Sequence, residues 1–101
     1  MPMDEFLARQ VAILRRLIGD YRQGHVSLNA LIQRIEGLNN VIGVEAWRDG
    51  VFPIVLEMEQ VNAAALDAKR GLTETESSAI ERSLNDLEVL IARLEDAKAH
   101  E

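Results

Sequence analysis

Leu7, Val11, Leu14, Ile18 and Tyr21 follow one another at intervals of 4, 3, 4 and 3 residues. Two later segments repeat the rhythm: Trp47, Val51, Ile54, Met58, Val61 and Ala65, then Ile80, Leu84, Leu87, Ile91 and Leu94. At about 100° per residue, that spacing keeps a single stripe of side chains on one face of an α-helix. Three such stripes joined by short connections have one economical solution: helices packed antiparallel at crossing angles near +20°. The fold class is therefore all-α, an antiparallel four-helix bundle. Its helices are expected at about 4–23, 27–38, 44–70 and 74–97, in one helical domain over 1–101.

Local signals set these ends. Phe6, Ile13 and Leu17 widen the first stripe on one flank. Gly24 suits the left-handed residue that closes a helix. Ser27 reads as the N-cap of a short second helix, with Val26 and Leu31 placed for a hydrophobic staple. Leu28, Leu31, Ile32, Ile35 and Leu38 form that helix's apolar face. Asn39-Asn40 and Gly43 mark a turn. In the third segment Gly50 and Pro53 interrupt good helix formers. Proline lacks the N–H of a helical bond and crowds the preceding turn, so the third helix is expected to be kinked or broken near Pro53. The unbroken stripe favours the kink. Lys69-Arg70-Gly71 supplies terminal cations and a closing glycine, and Thr73-x-x-Glu76 is a capping box for the last helix.

Composition narrows the function classes. The chain has 101 residues, 48% of them hydrophobic, enough for a core. With no cysteine, disulfides, thiolate metal sites and thiol catalysis are excluded. Seventeen acids against eleven bases give a net charge of −6, which argues against a nucleic-acid partner, whose phosphates call for Lys and Arg. Residues 1–44 carry +1 and residues 45–101 carry −7, so the acidity belongs to the second half. Met1-Pro2-Met3-Asp4-Glu5 is acidic where a secretory signal is basic, and no apolar run approaches the ~20 residues that span a bilayer. The expected location is cytoplasmic, with no membrane partner.

No catalytic set emerges. His25 falls in a turn and His100 beside the C-terminus, with Asp96 four residues before it. Neither histidine has the spacing that aims two ligands from one helix face. Nowhere are two acids three residues apart, the arrangement of helical metal-dependent hydrolases. Glu57 and Glu59 diverge by about 200° around a helix. Ser27, Ser77, Ser78 and Ser83 read as caps or helix surface with no base nearby, and no phosphate-binding loop or nucleophile elbow is present. Trp47 and Tyr21 fall on the stripes and read as core. The sequence therefore implies a protein that is not an enzyme, with no catalytic residue, no cofactor and no metal.

The outward face of the third helix is the exception to a bland surface. Glu45, Asp49, Phe52, Leu56, Gln60, Ala63 and Asp67 form one row opposite the stripe, apolar in the middle and acidic at the ends. One reading is a second buried side, or a register shifted by Pro53. The other is an apolar patch with a charged rim, the anatomy of a protein interface.

Several features in order resemble a known family. They are Tyr21-Arg22-Gln23-Gly24 closing the first helix, a short Leu/Ile-rich second helix, Trp47-Arg48-Asp49, the run Leu56-Glu57-Met58-Glu59-Gln60-Val61-Asn62-Ala63-Ala64-Ala65-Leu66-Asp67, and Leu72-Thr73-Glu74 opening the last helix. Over roughly residues 10–95 the chain is similar to small acidic, all-helical immunity proteins of bacterial polymorphic toxin systems, including contact-dependent inhibition. Gly50 and Pro53 depart from that pattern. The resemblance implies neutralisation of a cognate toxin by protein–protein contact, the partner being a basic toxin domain such as a nuclease. The competing expectation is a small helical adaptor or a homo-oligomer that uses the same row on a second copy.

Overall fold

In the computed structural model, which describes residues 5–99, the stripes become four helices and a common core. They are α1 (Glu5–Arg22), α2 (Leu28–Ile42), α3 (Glu45–Asp67) and α4 (Glu74–Ala99). Each packs against its neighbour in sequence, and α4 closes the ring against α1, while the diagonal pairs do not meet. The result is an antiparallel four-helix bundle of 48 × 24 × 20 Å. Leu14, Leu31, Ile35, Val51, Met58, Leu84, Leu87 and Ile91 have no solvent-accessible surface. Each such side chain contributes about 1.5–3 kcal/mol relative to an exposed one.

The ends follow side-chain chemistry. At Gly24, φ is +81°, and the His25 N–H donates to the Asp20 carbonyl at 2.8 Å, closing α1 as expected. Ser27 Oγ accepts from the Ala30 N–H at 3.1 Å. Thr73 Oγ1 accepts from the Glu76 N–H while Glu76 accepts from the Thr73 N–H, so the capping box is complete. Arg70 clamps the same Glu76 with both guanidinium nitrogens, at 2.6 and 3.2 Å.

Four expectations are decided by the structure. First, α2 does not stop at Leu38. Asn39 and Asn40 continue the helix to Ile42, and Gly43, with φ +65°, ends it. Asparagine favours turns over helix interiors, but here the Asn39 side chain has a tertiary partner, accepting from Trp47 Nε1–H at 2.7 Å. Second, of the two alternatives for α3 the break is excluded: one helix runs through Gly50 and Pro53, as the unbroken stripe favoured. Pro53 and Asp49 are both exposed, so the Asp49 carbonyl that lacks its helical donor lies on the solvent side of the helix. Gly50 is there for packing: a Cβ would lie 3.0 Å from a Leu90 methyl, so glycine lets α4 come close. Third, α3 ends at Asp67 rather than Arg70, and Lys69, not Gly71, takes the left-handed conformation (φ +53°). The Arg70 N–H reaches back to the Ala65 carbonyl, completing the closing turn without glycine. Fourth, Phe6 and Ile13 are exposed, and only Leu17 of that flank is buried. The last helix continues to Ala99. His100 and the acidic start Met1–Asp4 lie outside the described residues.

The two hairpins differ in length. Arg22, at the end of α1, meets Glu81 and Glu88, so the opening turn of α4 stands beyond α1. Leu66, near the end of α3, is exposed at that overhang. Ser83 is buried, and its hydroxyl has no hydrogen-bond partner among the described residues.

Candidate functional site: the groove between α2 and α3

All seven residues of the outward row on α3 are solvent-exposed: Glu45, Asp49, Phe52, Leu56, Gln60, Ala63 and Asp67. The row is not a second buried side. Phe52 is 68% exposed and Leu56 43%, an unusual outlay of apolar surface at the centre of a helix. The residues do not act as one set. Phe52 and Leu56 border an open groove of about 400 Å³ between α2 and α3. Glu45 and Asp49 border an adjoining hollow together with Phe52. Gln60, Ala63 and Asp67 line neither.

The groove is built from two helix faces. From α2 come Glu36, Asn39 and Asn40; from α3 come Arg48, Phe52, Val55, Leu56 and Glu59. Arg48, Phe52, Val55 and Glu59 are spaced 4, 3 and 4 apart, so they form one row, turned about 60° from the outward row toward α2. Trp47 anchors its floor. The indole is 3% exposed, and Nε1–H donates to Asn39 Oδ1 at 2.7 Å. Farther along the seam, Asn62 donates to Asn29 at 3.1 Å.

Charge in the groove is uncompensated. Across the seam the Glu36 and Glu59 carboxyls stand close enough to share a proton. That hydrogen bond to Glu59 is the main reason the Glu36 carboxyl titrates above its ordinary value, followed by partial burial and repulsion from Glu59. Arg48 lines the same groove and makes no ion pair among the described residues. Glu59 is eleven residues farther along α3, about 16 Å at the helical rise, so the two cannot meet within one chain.

Sequence reasoning missed Arg48, Glu36, Glu59, Asn39, Asn40 and Val55. Asn39 and Asn40 were hidden by the expected turn. The 4-3-4 row that includes Arg48 and Glu59 was available but lies between the buried stripe and the outward row. The carboxylate pair joins two helices and has no local signature. Among the described residues no three His, Cys, Asp or Glu side chains come together as a metal site. What the groove offers is apolar surface, amide groups and separated charges, the means of binding. No helix is long and apolar enough to cross a membrane. No protein-family model, curated protein or solved structure matches the chain. The likeness to immunity proteins therefore rests on the residues named above alone.

Proposed function

We propose that this chain is a binding protein, without enzymatic activity, that docks a protein partner on the α2–α3 groove. In this reading the partner is a basic toxin domain that it neutralises as an immunity protein. The observation that carries the reading is Phe52, an aromatic side chain standing mostly in solvent beside a groove rimmed by paired carboxylates. Aromatic anchors at the centre of a patch carry most of the energy of protein interfaces, and surrounding charges set orientation and on-rate. An excess positive charge on the partner would relieve the repulsion between Glu36 and Glu59. The toxin itself enters through the family resemblance.

The test is co-expression with the product of the reading frame next to this gene. Leu56→Arg is expected to abolish protection and complex formation while the far-UV spectrum and melting temperature stay near wild type, because Leu56 is not in the core. Asp49→Lys is expected to slow association and flatten its salt dependence with little effect on dissociation. A folded Leu56→Arg protein that protects in full overturns the reading.

A further inference from the structure

Arg48 and Glu59 stand at opposite ends of a groove row whose middle, Phe52 and Val55, is apolar. Neither makes an ion pair among the described residues, yet the row is complementary to itself when reversed. Turned end to end about a two-fold axis between Phe52 and Val55, α3 of a second copy places its Arg48 opposite Glu59 and its Glu59 opposite Arg48. Phe52 of each copy falls opposite Val55 and Leu56 of the other. A two-fold interface requires just this self-complementarity.

We propose that the free chain forms a two-fold dimer through the α2–α3 groove, with α3 antiparallel to its counterpart and Arg48 of each copy paired to the Glu36–Glu59 carboxylates of the other. Three observations favour a second copy as the occupant. The groove holds one unpaired cation and one crowded carboxylate pair, so a copy of itself supplies what each lacks. The remaining acids do not oppose the arrangement: Glu45 falls opposite Asn62 and Ala63, which are uncharged, and Asp49 sits on the outer flank of the row. The bundle's long side, 48 × 24 Å, has room for the ~800 Å² per partner that a standard interface buries. The two bridges would stand about 16 Å apart on either side of the apolar centre, an arrangement that fixes the antiparallel register.

This inference concerns the chain alone and does not depend on the toxin reading. It is tested on the full chain by sedimentation velocity from micromolar to submillimolar concentration at low salt. The mass is expected to double with concentration. Arg48→Glu and Glu59→Arg, each exposed and each checked for a cooperative melt no lower than that of the wild type, are expected to weaken the dimer by at least about tenfold. The double swap Arg48→Glu with Glu59→Arg is expected to restore it to within about threefold, because the pair is re-formed with its polarity reversed. A mass that stays at one chain throughout the range overturns the proposal and leaves the groove to another protein. So does a dimer that Arg48→Glu leaves intact, or a double swap as weak as the single variants. Loss of toxin protection by any of these variants has no bearing on the result, so failure here and failure of the immunity reading are separate outcomes.

Discussion

Along the seam between α1 and α4, Arg15 pairs with Glu95, and Arg22 reaches Glu81 at 3.0 Å, Glu88 at 3.0 Å and Asn85 at 3.2 Å. Along the seam between α2 and α3, two carboxylates face each other and Arg48 meets neither. Both seams join antiparallel helices over apolar stripes of the same interval, so their cores are alike and their rims opposite. The Arg22 guanidinium is held above its ordinary value chiefly by its hydrogen bond to Glu88, with Glu81 adding to it. The first rim contributes to holding the bundle closed. At the second rim the Glu36–Glu59 contact opposes folding, and it lies in the groove beside Phe52, the most exposed aromatic of the described residues.

The largest expected effect tests whether the α2–α3 seam is weak only at its rim. Trp47→Ala should cost about 3–5 kcal/mol in denaturant melts, from the cavity and the lost partner of Asn39. That is a large share of the ~5–15 kcal/mol available to a domain of this kind. A cost below 1 kcal/mol would mean that the seam is weak throughout.

Next in size is the opposite rim. Arg22→Ala should cost about 1 kcal/mol at low salt and less at high salt, since its partners are substantially exposed. If the loss is independent of salt, the Arg22 network holds α1 and α4 by packing of its stem rather than by charge.

The smallest effect has the most informative sign. Glu36 binds its proton more tightly in the folded state, so its contribution makes stability fall as pH rises through its raised value, and below the ordinary carboxylate range the penalty vanishes. Glu36→Gln should therefore flatten the melting temperature above pH 4.5 and raise it slightly at pH 7. Glu76 has the opposite sign. Arg70 and the Thr73 N–H pull its carboxyl from 4.5 to about 2, so its stabilisation is complete above pH 4.5 and is lost as pH falls toward 2. Glu36→Gln should leave that acid limb unchanged.

Most of the fold was legible because the 4-3-4-3 stripes, Gly24, Ser27 and the Thr73–Glu76 box are local patterns with local causes. Two of the misread positions, Asn39 and Gly50, are decided by a distant residue. Asn39 looks like a turn until Trp47 donates to it from the next helix. Gly50 looks like a breaker until Leu90 lies against it from α4. Lys69 takes a glycine's backbone angle because the hydrogen bonds ending α3 fall there. The site was half legible for the same reason. Phe52 and Leu56 stood out by their chemistry on an exposed face. Arg48, Glu36 and Glu59 acquire meaning only when α2 is laid beside α3.

The closed ring of helices has a consequence in time. Three of its four seams join helices that follow one another directly, and each can form as a local hairpin soon after its turn closes. The α1–α4 seam joins the two ends of the chain and closes by far the longest loop, so it is expected to form last. A bundle so rich in neighbouring contacts belongs among the microsecond-to-millisecond folders. Contacts made after the rate-limiting step do not speed folding; they slow escape from the native state. If that seam closes late, the Arg15 and Arg22 bridges are expected to slow the opening of the ring more than they speed its closing.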